Sequence, residues 1–388
     1  MLPVKLKGTG SVRSIAASVL AAALVVSGVC CTVGRTRAFP FPGELPVLTA
    51  RGTLPGLYRE TSSGGKETEK TEEESESFSR EASSPGDRDA GKKDEAKKEE
   101  ASRKSFVSRE PSEKEKEEYI SEHKGENSFP VYEFTSTIGN QAGAGVQVKN
   151  TSSYDLDIEK ELELPLGFRT EKTDKPQVLI YHTHTTEAFL TYDTGYFFES
   201  YTARSKDSSK NVCAVGEEIV KSLESRGIKA VHDTTVHDSP SYSGAYYRSA
   251  DTVREYLRKY PSIKVVIDIH RDGIGDGEQR SKPVFEYKGK RAAQLMILAG
   301  YNSGGDPDFE HWEYNLRFAL RLQKKASALY PDMARPLSFG DFVYNSDINT
   351  GSLLVEIGAD SNTLEEVRYT GYLFGDVLYE TLKENMKK

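Results

Sequence analysis

The chain has 388 residues and a formal charge of −8, with 52 Lys and Arg set against 60 Asp and Glu. The length allows two or three domains, and the charge balance excludes the basic footprint of a nucleic-acid-binding protein. Cysteines are few, and Cys213 stands alone in the aromatic-rich part, so a disulfide framework is excluded and the fold must rest on packing or a metal.

Residues 1–37 read as a cytoplasmic start with a membrane anchor. Lys5, Lys7 and Arg13 precede an uncharged stretch, Ser14 to Val33, long enough to cross the hydrocarbon core as a helix. The alternatives are a cleaved signal, although no small-x-small cleavage motif follows, or lipidation at Cys30, which Val29 disfavours. All three place the rest of the chain outside the cytoplasm. Residues 38–128 are expected to be a disordered charged tether. Runs such as KETEKTEEESESFSR hold too few apolar residues to offset the entropy of ordering.

Residues 129–170 form an entry segment, with short strands in VYEFTST and GVQVKNTS and a brief helix or extended lead-in over Tyr154 to Leu166. This segment packs on the catalytic domain or forms a small module of its own. Residues 171–388 alternate strand and helix. Strands are predicted at Val178–His182, Ile228–His232, Ile263–Ile269, Phe285–Tyr287, Gln294–Ala299 and Ser352–Ile357. Helices are predicted at Asn211–Ser225, Gly244–Tyr260, His311–Tyr330 and Thr363–Met386, each from apolar residues at helical spacing. Cys213 falls early in the first of these helices and reads as a small buried hydrophobe. Alternation with near-continuous apolar strands implies an α/β fold: a mostly parallel mixed sheet with helices on both faces.

Sites in such sheets form at the carboxyl ends of the strands. The strongest three strands end in His182-Thr183-His184, in His270-Arg271-Asp272 and in Glu356. Imidazole and carboxylate donors without paired cysteines suit a catalytic zinc with an open fourth position. His184, Glu187 and His270 are the expected ligands. His182 and His184 compete for the first place, the other lying behind it. Glu356, a carboxylate on an otherwise apolar strand, is the expected general base, taking a proton from water and returning it to the leaving amine. His232 and His237, in VHDTTVHD, form a second His/Asp group read as structural, with His232 close behind the ligands. No G-x-S-x-G, GxxxxGK[ST] or HExxH pattern is present.

The blocks VLIYHTHTTEAF, NVCAVGEEI, VHDTTVHDSPSYSGAYYRS, VVIDIHRDG and SLLVEIGADSNTLEEV resemble the stage II sporulation protein P family of cell-wall amidases, from about Val146 to the C-terminus. The last block is similar to the end of zinc-dependent N-acetylmuramoyl-L-alanine amidases, whose catalytic Glu falls on Glu356. Their two ligand histidines fall on the HTH block and on His270. Those amidases take a Glu ligand from near the start of the first helix, where this chain has Asp207. Glu187 therefore takes that place, with Asp207 and Glu199 as substitutes.

The resemblance implies a fold similar to that of zinc amidases and carboxypeptidases and a single-pass cell-membrane protein with its catalytic domain on the extracytoplasmic side. It implies hydrolysis of the N-acetylmuramoyl–L-alanine amide of peptidoglycan during spore engulfment, with endopeptidase activity on crosslinked stems. It also implies stage II sporulation proteins D and M as partners. The rival readings are a zinc peptidase acting only on wall peptides and a non-catalytic wall-binding scaffold.

Overall fold

The computed structural model describes residues 105–275 and 278–386. The predicted anchor and most of the predicted tether lie outside the described residues. In chain order the elements open with α1 (Glu113–Glu122), β1 (Ser128–Phe134), β2 (Gln141–Gly143), β3 (Val146–Asn150) and α2 (Ile158–Glu163). Next come β4 (Val178–Tyr181), β5 (Tyr196–Phe198), α3 (Val212–Ser225), β6 (Ala230–His232) and α4 (Ala245–Lys259). They are followed by β7 (Val265–Asp272), β8 (Arg280–Tyr287), β9 (Lys290–Ala293) and β10 (Leu295–Gly300). The chain closes with α5 (Trp312–Leu329), β11 (Leu337–Gly340), β12 (Ser352–Ala359) and α6 (Leu364–Glu384).

Eight strands form one sheet in the order β2-β3-β11-β10-β12-β7-β4-β6. Strands β6, β4, β7 and β12 are parallel, β10 turns antiparallel to β12, and β11 and β3 follow the direction of β10. Apolar alternation explains the layers. Val178, Ile180, Val265, Ile267 and Ile269 enter the large core with residues of α3, α5 and α6. Their neighbours Leu179, Tyr181 and Val266 enter a smaller core with Val253 of α4 and Ile263. Successive strand residues point to opposite faces, so strands covered on both faces must be apolar throughout. The fold is the mixed α/β sheet that the sequence implied.

The entry segment does not stand apart. Its β3 extends the main sheet beside β11. Its β1 sits in a second sheet of order β5-β1-β8-β9, antiparallel to β5 and parallel to β8. That second sheet was not apparent from the sequence: strands were expected in VYEFTST and at Phe285–Tyr287, but nothing local marks a pairing between segments so distant in the chain. Lys282 of β8, only 1% exposed, ties the second sheet to α6: its Nζ lies 2.9 Å from Asp193 and 3.0 Å from Glu366.

The tether expected to run to residue 128 is corrected at its end, where α1 is ordered. Its N-cap Ser112 forms a capping box with Glu115, satisfying end N–H groups that the Glu/Lys-rich composition alone would leave to water. Just before it, the ring of Phe106 lies 5.0 Å from Tyr369 and 5.9 Å from Tyr372 of α6.

Candidate active site at three strand ends

Strands β4, β7 and β12 lie next to one another, and their carboxyl ends carry the site. Asp268 of β7 organises it. Its Oδ1 accepts the Thr183 N–H at 2.8 Å and its Oδ2 accepts the Thr183 hydroxyl at 2.6 Å, which fixes the chain just past β4. The same Oδ1 lies 2.9 Å from Nε2 of His270, close but off the N–H line of a good hydrogen bond. A carboxylate behind an imidazole sets its tautomer and leaves the other nitrogen for chemistry. That other nitrogen, Nδ1, faces Glu187 Oε2 at 3.6 Å.

Glu187 is held from several sides. Its Oε2 accepts the Arg271 N–H at 3.2 Å, and its carbonyl accepts the first N–H of α3, from Val212, at 2.9 Å. The following residues are stapled to the start of α6: Leu190 N–H donates to Asn362 O, and Leu364 N–H donates back to Leu190 O.

Glu356 sits opposite His270 in the β12–β7 pairing, and the register slips between Glu356 and Ala359. Bulges re-aim side chains next to active sites. Gly358 makes this one feasible: its φ is +69°, and a Cβ there would lie 2.7 Å from Val367. The bulge leaves Glu356 Oε2 buried with no hydrogen-bond partner.

Electrostatics distinguish the members. Burial, then the charge of Asp272, pushes Glu356 up to about 8. Burial acts the same way on Glu187, but the His270 side chain and the Arg271 charge override it and hold that carboxylate at about 2. Burial opposes charge on His270, yet Asp268 and Glu187 raise its pKa well above the ordinary value. Burial lowers His184 to about 4, so its ring is neutral, as a metal ligand requires. That ring stacks on Tyr242 with centroids 4.0 Å apart, and its Nδ1 is buried without a hydrogen-bond partner.

Among the described residues no group of three or more His, Cys, Asp and Glu side chains is gathered as a ready-made metal cage. The donors nevertheless fit one. The 3.6 Å between His270 Nδ1 and Glu187 Oε2 is long for a hydrogen bond. It is close to the separation of about 3.4 Å between two ligands of a tetrahedral zinc. The orphaned Nδ1 of His184 and Oε2 of Glu356 are buried polar atoms that lack any protein partner.

His182 is placed elsewhere. Its Nδ1 is 3.0 Å from Ile269 O and its Nε2 is 2.9 Å from Nε2 of His232, so both ring nitrogens are occupied inside the protein. A Cβ on Gly216 of α3 would fall 2.5 Å from His232 Nε2 and 2.9 Å from His182 Nε2, so this glycine makes room for the pair. His182 is thus turned to the helix and His184 to the site. His237 is structural, bonding His182 O and Thr252 Oγ1. Asp207 and Glu199 are exposed. Asp207 accepts from Ser209, a local turn contact.

Asp268, Tyr242 and Tyr246 are the parts of the site that sequence reasoning missed. Asp268 had a signal, since a carboxylate inside IKVVIDI must find buried partners. The tyrosines had only their place in the block VHDTTVHDSPSYSGAYYRS, which gives them no role, because their rings come from after β6 and reach the site only in three dimensions.

The fold and site define an α/β protein with a His/Glu/His donor set and a buried unpaired carboxylate. Residues 48–379 match the stage II sporulation protein P family, and the chain belongs to it. Over 218 residues it is 31% identical to stage II sporulation protein P of Bacillus subtilis (strain 168), a match covering 53% of this chain and 51% of that one. The chain therefore aligns with about half the length of that relative.

Solved structures overlap more loosely. The N-acetylmuramoyl-L-alanine amidase AmiC2 of Nostoc punctiforme is 14% identical with a TM-score of 0.32, covering 55% of this chain and 97% of that one. The CwlD amidase of Clostridioides difficile, solved with the GerS lipoprotein, is 11% identical with a TM-score of 0.35, covering 54% and 98%. At that level of superposition no chemistry is transferred.

Proposed function

We propose that the protein is a zinc-dependent peptidoglycan hydrolase that cleaves the amide between N-acetylmuramic acid and L-alanine. The observation that carries this reading is the pair of buried, partnerless atoms, His184 Nδ1 and Glu356 Oε2, beside the His270–Glu187 contact. His184, Glu187 and His270 would hold the zinc, which when bound supplies a Lewis acid to the amide carbonyl and acidifies water. Glu356 takes the proton from the attacking water and delivers it to the amide nitrogen as the C–N bond breaks. Burial gives Glu356 the affinity for a proton that this shuttle needs, at about 8. Asp268, 2.9 Å from His270 Nε2, positions that ring through its charge.

Family membership supports a wall substrate and a role in sporulation. The charged start and uncharged stretch of residues 1–37 support a single-pass anchor with the catalytic domain on the extracytoplasmic side, and proteins D and M of stage II sporulation are the proposed partners in engulfment. Digestion of purified peptidoglycan tests the bond assignment. New L-alanine amino termini with stem-free glycan are expected. Shortened or uncrosslinked stems alone would make the protein a wall peptidase, and no products with zinc bound would make it a scaffold.

A further inference from the structure

The two ligand histidines of the proposed site are held in different ways. His270 has a carboxylate behind it, Asp268, at 2.9 Å from Nε2. Among the described residues no hydrogen bond reaches the ring of His184. Its neighbours are rings. Tyr242 is stacked on it, with centroids 4.0 Å apart and planes within 4° of parallel. Tyr246 and His270 meet it edge to face, at 5.5 and 5.2 Å. The stack sets the plane of the imidazole, and the edge contacts bound it at the sides.

Tyr242 is itself pinned through its backbone. It lies in the loop between β6 and α4, and Arg248, from the first turn of α4, takes three carbonyls of that loop. Its Nε donates to His237 O at 2.6 Å, its Nη1 to Ser243 O at 3.2 Å and its Nη2 to Ser241 O at 2.5 Å. Ser241 and Ser243 flank Tyr242, so one rigid guanidinium fixes the chain on both sides of the ring.

The ring is covered by Arg204, whose guanidinium carbon lies 4.8 Å from its centroid. Arg204 is anchored in turn on Asp238, with 2.9 Å between Nη1 and Oδ2 and no exposed surface on the Asp238 side chain. A carboxylate so buried requires partners. Besides Arg204, Asp238 accepts the Thr186 hydroxyl at 2.6 Å and the Thr186 N–H at 3.2 Å. Thr186 stands between His184 and Glu187. One carboxylate thus secures both the backbone that carries two ligands and the cation that covers Tyr242.

We infer that Tyr242 is the positioning residue of His184, doing by ring stacking what Asp268 does for His270 by charge, with Arg204 and Asp238 holding the stack in place. The inference rests on the zinc reading of the site. An imidazole whose plane is fixed by folding has no rotational freedom left to lose when it binds a metal, so the stack adds affinity by preorganisation. Partners behind metal ligands typically contribute about 10- to 100-fold in affinity.

The test is the zinc dissociation constant of the full chain in detergent, measured by competition with a chromogenic chelator, beside the melting temperature of the zinc-free protein. Tyr242→Ala is expected to weaken zinc about 10- to 100-fold. Tyr242→Leu, apolar but without a flat face, should fall with it, and Tyr242→Phe, which keeps the ring, should restore wild-type affinity. Arg204→Lys keeps a partner for Asp238 and loses the planar cation. It should weaken zinc about two- to fivefold, the worth of one partly exposed cation–π contact. The melting temperature of the zinc-free variants should stay near that of wild type. Wild-type affinity in Tyr242→Ala, or a loss in Tyr242→Phe as large as in Tyr242→Ala, would overturn the assignment. If Tyr242→Ala does not fold, unaltered zinc affinity in both Tyr242→Leu and Arg204→Lys overturns it equally. A wild-type chain that takes up no zinc overturns the metal reading along with it, whereas the variant results overturn the assignment alone.

Discussion

Two histidine pairs lie within a few residues of each other, and they do opposite things. His182 and His232 face α3 and bond to each other, His182 also to Ile269 O, and Gly216 leaves room for the pair. His184 and His270 face the cleft, one with a partnerless nitrogen and the other set against two carboxylates. Since His182 and His184 are only two positions apart, their residue type does not separate a ligand from a strut. What separates them is whether the protein itself uses up both ring nitrogens.

The comparison breaks most visibly at the cleft pair. His184→Ala should take turnover to the level of the metal-free protein and abolish stoichiometric zinc, while the melting temperature of the zinc-free protein barely moves. Metal analysis beside a turnover assay reads this. Zinc retained in that variant, and lost in His182→Ala, would exchange the roles. Next in size, Glu356→Gln should lower kcat by about 10²- to 10⁴-fold with zinc content unchanged. Loss of zinc in that protein would make Glu356 a ligand.

The sealed pair should answer in stability. Gly216→Ala forces a methyl group against both imidazoles, and overpacking of this kind costs about 1–3 kcal/mol. Denaturant unfolding would show it, with zinc stoichiometry unaltered. A full-strength fold in that variant would mean that the pair is not held as described.

The smallest effect is on pH. Burial lowers His182 to about 3 and His232 to about 4, against an ordinary 6.5. Both groups are neutral in the fold and protonate more readily unfolded, so their contribution is whole above about pH 6.5 and is lost as pH falls toward 4. The slope is about 1.4 kcal/mol per pH unit for each proton taken up. His232→Asn should flatten the acid limb of a stability–pH curve measured on zinc-free protein. An unchanged limb would place the acid sensitivity elsewhere, for instance on His184, which burial also lowers to about 4.

Much of this was legible in the residues. The central strands β4, β7 and β12 announced themselves because burial on both faces demands unbroken apolar runs, as in VLIY and VVIDI, whereas β5, β9 and β11 were not predicted. Their carboxyl ends then pointed to the His182-Thr183-His184 block, to His270 and to Glu356 by position, leaving the choice between the two histidines of the block open. Glu187 followed from the His-x-x-Glu spacing, which keeps both groups within one turn: its N–H donates to the His184 carbonyl at 3.0 Å. The second sheet could not be read, since β1 meets β8 across about 150 residues with nothing local to mark the pairing. Helix α1 was obscured for a related reason. Its composition is that of a solvated tether, and its order depends on a capping box and on contacts such as Tyr119 with Phe198, 5.7 Å between centroids.

The way the entry segment threads the molecule bears on how the protein can be cut. Strand β1 lies between β5 and β8, and β2 with β3 closes the free edge of β11. A truncation that begins after Asn150 would uncover two rows of unpaired backbone groups, the kind of edge that recruits other chains. Such a fragment should come out of expression as aggregate even with every site residue in place. One that begins at or before Phe106 keeps both edges covered and keeps the ring that packs on Tyr369 and Tyr372.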